Sequence, residues 1–518
     1  MNYTTISAAA SGSVDRAHTK DRLSARWILP ALALFCLVWL AYLSAVTSNA
    51  PVDNIEQLTW VRSLEWGYFK HPPLPTWLVW PAVQLQGLHA HTSYFMGALC
   101  KGLALAGFWW LMCRLRGPSY AAIALMAACC IVYYSRHLHI YNHNVVMFAT
   151  VVAAAICCWQ AWALRSLRWW GVLGVVLGLG FLTKYQTVVT VTCVVAFFAW
   201  TGDWRDRAHW RGAAFAAVLC GAVVTPHLWW LLDNPINPLT YAVSSSLGAA
   251  IEWPARLPAV TDWVIDHLFN RGLGALLLLG GLAWMYRGTV TTNAKDGRAV
   301  AHDAARKLML VFALVPIVFI VLTVLLLGAE SRKHWGTAYL IWMVPAVMEV
   351  LRRVKWQNVS VRSAFTGFLL IQFVLLLDHQ WTTVTREADT TQARVGQPMA
   401  SNWAATVAQQ ARFELNTPIK VVSGPETISA AFALQLPEKP LVLLEDNSAI
   451  SPWVPDNAPG NCGGVHIGWG APPEGAHELK GGPPGLYWQV IPEVPDGNCP
   501  LNPRFSSRAS GKRLMASR

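Results

Sequence analysis

Apolar runs of 15–21 residues recur through the first three quarters of this 518-residue chain, and they constrain its fold more than any other feature. Runs of about 17–25 apolar residues are read as membrane spans, and shorter ones can be spans that pack inside a bundle. Eleven spans are expected, near 28–48, 94–113, 118–134, 145–164, 169–183, 185–200, 212–232, 272–286, 308–328, 336–351 and 363–378. Charged residues make up 13% of the chain, about half the share usual in soluble domains. The expected fold is an all-α polytopic membrane bundle of about eleven helices, followed by a small α/β domain.

Three segments follow from this pattern. Residues 1–27 form a polar lead, which is not the pattern of a cleaved signal peptide. Residues 28–378 form the bundle, and residues 379–518 form a soluble tail long enough for a small core. In the tail, IKVVSG (419–424) and KPLVLLED (439–446) read as strands, as do GGVHIGWG and GLYWQVIPE. PETISAAFALQL (425–436) reads as a helix with proline at its start.

Lysine and arginine collect in cytoplasmic loops. Loops on one side of the expected bundle hold twenty of them, from Arg16 to Arg362, and the opposite loops hold eight, from Arg62 to Lys333. The N-terminus is therefore expected in the cytoplasm and the tail outside. The net charge of +12 mostly reflects this topology and argues against a nucleic-acid partner. Nine of the eleven cysteines lie in or beside spans, as small packing residues do. Cys462 and Cys499 lie in the tail, where an outer location permits a disulfide; the alternative is two free thiols.

Ionisable groups within a membrane region are functional candidates. Here most of them sit at the expected outer ends of spans: Asp53, Glu56, His71, Arg136, His139, His143, Lys184, Glu330, Arg332, Lys333 and His334. Each also has a plainer role. Asp53 can cap the helix that NIEQLTWVRSLEW suggests, and Lys184 can be an interfacial lysine reaching the head groups. Glu56 can be a surface carboxylate, His71 and His334 can be packing residues, and Arg332 and Lys333 can belong to a solvated loop end.

The stretch GYFKHPPL (67–74), with Asp53 eighteen residues before His71, resembles the first outer loop of glycosyltransferase family 39. That family uses polyprenyl-phosphate sugars and includes protein mannosyltransferases and the aminoarabinose transferase of lipid A. SRHLHIYNHNVVMF (135–148), LGLGFLTKYQTVV (177–189), TPHLWWLLDNP (225–235) and RKHWGTAYLIWMVPA (332–346) resemble later motifs of that family, in order. Three positions depart from it: Asn54, Lys70 and Asn142 stand where its bacterial members carry acids.

The resemblance implies a GT-C fold in a bacterial inner membrane. It also implies a reaction on the outer face that moves a sugar from a polyprenyl-phosphate donor to an acceptor hydroxyl on a lipid, polysaccharide or protein. Asp53 would act as the base and Glu56 as a second acid or a metal ligand, with inversion at the anomeric carbon. Lys184, His71 and Arg136 would hold the departing phosphate. Tyr68, Tyr185, His334, Arg332 and Lys333 would line the donor site. No cofactor follows from the residues, since no short zinc-type spacing occurs; the resemblance leaves room for a divalent metal. Two other readings compete: a lipid-binding relative without activity, favoured by the lost acids, and a secondary transporter, which would show paired repeats and mid-plane charges.

Overall fold

A computed structural model describes residues 26–47, 49–244, 251–287, 299–330, 332–351, 353–388, 400–455, 457–480, 485–494, 499 and 501. Most of the expected polar lead and the last basic residues lie outside them. The chain is mostly helical, with one small sheet near its end. Among the described residues, six helices are long and apolar enough to cross a membrane: Arg26–Val46, Ala90–Arg116, His143–Leu164, Arg207–Asp233, Val300–Leu327 and Val361–Thr383. A seventh crossing arises if Trp253–Arg271 and Leu273–Met285, bent by 65° at their break, count as one span.

The count of eleven full crossings is therefore not supported. Pro118–Cys129 has 12 residues and rises only about 18 Å, short of the roughly 30 Å hydrocarbon core. Leu167–Phe181 and Thr187–Thr201 have 15 residues each. These short helices owe their apolar composition to burial among other helices as much as to lipid. Helix Leu167–Phe181 lies so close to Arg207–Asp233 that a Cβ on Gly174 would meet the Ala216 carbonyl at 2.3 Å. Helices Ala90–Arg116 and Pro118–Cys129 are separated by one residue, Gly117, at φ 92°. The proline begins the second helix at a position where its missing N–H costs nothing. Arg116 ends the first helix in an ion pair with Glu349 (2.7 Å).

Between the first two long helices, the first loop holds helices Val52–Trp60 and Leu74–Gln86. Near the chain's end, β1 (Val421–Gly424), β2 (Leu441–Leu444), β3 (Gly464–Trp469), β4 (His477–Glu478) and β5 (Leu486–Ile491) form a sheet ordered β2-β1-β3-β5-β4. β1 runs parallel to β2 and β3, and β5 runs antiparallel to β3 and β4. The crossover from β1 to β2 is helix Glu426–Gln435. Cys462 and Cys499 are joined as a disulfide.

The tail does not hang free of the bundle. Ile55, Trp60 and Tyr68 of the first loop share one apolar core with Trp403, Phe432, Val442 and other tail residues. A second, larger core fills the bundle around Phe108, Phe312 and Trp342.

Candidate active site

The site begins with a close approach of backbones. Gly97 lies on helix Ala90–Arg116, where a Cβ would meet the carbonyl oxygen of Ile140 at 2.6 Å. The missing side chain lets the turn 137–141 lie against the helix. One helical turn on, the buried Lys101 donates to the carbonyls of His137 (2.7 Å), Leu138 (3.3 Å) and Ile140 (2.8 Å). Asn54 fastens the same turn from the other side. Its Nδ2 donates to Ser93 Oγ (2.9 Å) and to the His139 carbonyl (3.0 Å), and its Oδ1 accepts from the Tyr141 N–H (3.0 Å). Where the family resemblance expects an acid, this amide supplies a donor and an acceptor to a fully buried spot.

Asn142 follows directly. Its Oδ1 caps helix His143–Leu164 by accepting from the Val145 N–H (3.0 Å), and its Nδ2 donates to Asp53 Oδ2 (2.6 Å). Asp53 itself is not the cap of its own helix. Pro51 occupies that position, and Asp53 lies in the first turn with an exposed side chain.

A second strap joins the first loop to the turn after helix Leu167–Phe181. The Leu74 N–H donates to the Leu182 carbonyl (2.9 Å), two residues before Lys184. Lys184 Nζ donates to Asn144 Oδ1 (2.8 Å). Burial pushes its pKa down to about 8, while the Asp53 carboxylate pulls it up. Tyr185 donates to or accepts from His227 Nε2 (2.8 Å), and His227 Nδ1 meets the Trp66 carbonyl (2.6 Å).

His71 sits on the proline turn, closed by the Tyr68 N–H donating to the His71 carbonyl (3.0 Å). Its ring lies 3.8 Å from that of His143, and both flank Trp60, on which Tyr68 stacks at 4.9 Å. Burial, then His143, Lys184, Lys70 and His334, hold the His71 imidazole neutral. The surrounding protein, then Lys184, Arg271 and Arg332, lower His334 as well.

Lys70 bridges two carboxylates, Glu56 (2.9 Å) and Glu426 of the tail (2.5 Å). Burial raises Glu56 to about 8, with Lys70 opposing and Glu426 and Asp53 reinforcing. Two half-buried acids thus share one cation. Glu56, His71 and His143 each offer a ligand atom for a metal ion, with these atoms within 4.8 Å of one another. A narrow crevice runs beside Glu56, lined in part by Val52, Ile55, Glu426 and Thr427.

Asp53, Glu56, Tyr68, His71, Lys184 and His334 thus gather at one end of the bundle. Arg136 does not join them: it pairs with Asp378 and donates to Thr382 Oγ1 (2.6 Å) on helix Val361–Ala388. Arg332 pairs with Glu330 at 3.0 Å, and Lys333 is exposed beside it. Sequence reasoning counted His143 among the ionisable candidates without giving it a specific role, and it passed over Asn144 and Glu426. The signal for His143 lay in its position just after a capping residue at a span's start. Glu426 carried no signal, because its partner Lys70 is 356 residues away.

Comparisons with known proteins bear on this arrangement. Residues 70–230 match the family described as Dolichyl-phosphate-mannose-protein mannosyltransferase. The lipid A galacturonosyltransferase RgtD of Rhizobium johnstonii is 23% identical over 371 residues, 70% of this chain and 73% of that protein. The lipopolysaccharide core galacturonosyltransferase RgtB of the same organism is 25% identical over 225 residues, 41% and 44% of the two chains. Among solved structures, apo ArnT from Cupriavidus metallidurans superposes with a TM-score of 0.49 at 16% identity, over 91% of this chain and 100% of that one. The family match over residues 70–230 and the names of both Rhizobium relatives are those of glycosyltransferases, the class of enzyme that the sequence motifs resemble.

Proposed function

We propose that this chain, a relative of membrane glycosyltransferases, moves a sugar from a polyprenyl-phosphate donor to an acceptor hydroxyl, on the outer face of a bacterial inner membrane. The lipid of the donor stays in the bilayer while its sugar phosphate sits at the end of the bundle that holds Asp53 and Lys184. The bond from the anomeric carbon to the phosphate oxygen breaks, and its electron pair leaves with the phosphate. A hydroxyl oxygen of the acceptor attacks the opposite side of that carbon, so its configuration inverts. The hydroxyl proton passes to the Asp53 carboxylate.

Phosphate is already a good leaving group, so the residues need mainly to hold charge. Lys184 is the cation best suited to the developing phosphate dianion. At 4 Å a single charge pair is worth on the order of 4 kcal/mol at an effective dielectric near 20, and fixed charges aimed at a developing anion are usually the largest catalytic term. His71, His334, Tyr68 and Tyr185 would line the sugar. Arg332 and Lys333 would attract the anionic donor from the rim.

The observation that carries this reading is the Asp53 carboxylate, oriented by Asn142 and electrostatically coupled to Lys184. Galacturonic acid, the sugar in the names of both Rhizobium relatives, is the first donor sugar to assay. Asp53→Asn should lower transfer from a lipid-phosphate sugar by roughly 100- to 10,000-fold. An unchanged rate would remove Asp53 as base, and no transfer by the unsubstituted chain with any lipid-linked sugar would favour a purely lipid-binding role.

A further inference from the structure

Two imidazoles whose rings lie 3.8 Å apart and a carboxylate converge at the loop–bundle junction. Packing alone gives little reason for this. His143 is 3% exposed, and its Nε2 is buried without a hydrogen-bond partner. A buried polar atom left unpaired costs about 1–3 kcal/mol, so one that persists suggests a missing partner. The His71 ring has no hydrogen bond among the described residues either, and Glu56 uses only Oε1, on Lys70.

We propose that Glu56, His71 and His143 form a binding site for one divalent transition-metal ion of the zinc type. Two histidine nitrogens and one carboxylate oxygen are a donor set that suits zinc and leaves a fourth position open. Hard oxygen-seeking ions such as magnesium suit it poorly. Ligand atoms within 4.8 Å of one another need only side-chain rotations to reach bonding distance. The elements that carry them are already fixed. His143 starts a capped helix, His71 sits on a proline turn, and Glu56 lies in helix Val52–Trp60.

Lys70 does not exclude the ion. It holds Glu426 as well as Glu56, so Glu56 can turn to the metal while Lys70 keeps its tail partner. Two neutral imidazoles, one carboxylate and a divalent ion leave a net charge of +1. That charge stands beside the side chains that, on the reading above, would receive the donor. Resting on that reading, the open coordination position is suited to an oxygen of the donor phosphate, next to Lys184.

The test uses the tag-free full-length chain in detergent, stripped with a chelator and titrated with zinc chloride, following heat and metal content per chain. One tightly bound zinc ion per chain is expected. Groups that only hydrogen-bond a metal ligand already change metal affinity 10- to 100-fold, so His143→Gln and Glu56→Gln should each weaken binding by at least about 100-fold. His477→Gln, at a tail histidine paired with Glu414, should leave binding unchanged. Cobalt substitution should give a visible spectrum that His143→Gln abolishes. No stoichiometric binding, or binding untouched by both ligand substitutions, overturns the site. Zinc bound as expected by a chain that transfers no sugar would leave the site standing and count against the transferase reading. Full transfer by the stripped chain would show that the ion does not touch the donor.

Discussion

Lys184 takes a position that sequence reasoning singled out, and its surroundings set a pH dependence. Burial holds its pKa near 8, so the ammonium is lost as pH rises through that value. If the protonated form holds the donor phosphate, kcat/KM, which reports the free enzyme, should fall above about pH 8. Lys184→Arg cannot lose its charge in that range. It should move this alkaline limb upward even where the rate itself drops. A limb that stays in place would assign it to another group. At this scale the sequence was informative but incomplete. Asp53, Lys184 and His71 stood out because charge is rare near apolar runs. Asn54 and Asn142 read as lost acids, yet the structure shows them satisfying buried backbone and orienting Asp53. An amide's usefulness depends on what faces it, and that is not local information. Arg136 looked identical to its neighbours in kind, but Asp378, 242 residues on, engages it.

Among elements, the turn 137–141 is the piece on which the site depends. It has no regular secondary structure to pair its carbonyls, so Lys101 from the neighbouring helix does so. Lys101→Met should leave these buried carbonyls without donors, at about 1–3 kcal/mol for each group that finds no other partner. Thermal unfolding in detergent should shift down, and transfer should fall with it, since Asn142 and His143 follow this turn. A midpoint equal to that of the unsubstituted chain would mean that water or another donor replaces the ammonium. Sequence reasoning found the helices through their apolar length and the tail strands through short β-branched runs between glycines and prolines. Its count of eleven crossings is not confirmed, because burial inside a bundle and contact with lipid favour the same residues. Pro118–Cys129 and Leu167–Phe181 are apolar for the first reason as much as the second.

For the whole molecule, the contact between first loop and tail is what composition could not show. Lys70 links Glu56 to Glu426, and the Arg62 guanidinium donates to the Lys439 carbonyl (2.5 Å). Glu426→Gln keeps the shape and removes one charge. The backbone amides of Val52–Trp60 should then exchange hydrogen several-fold faster, while those in helix His143–Leu164 should not change. Equal protection in both chains would mean that the apolar contacts alone hold the tail in place.

Because Ile55, Trp60 and Tyr68 share their core with the tail, neither half is finished without the other. A chain cut after the last span would bare a greasy, aromatic face at the water's edge, while the severed tail would lose part of its interior. Removing the tail to simplify purification should therefore yield a sticky, protease-sensitive membrane fragment rather than a minimal enzyme.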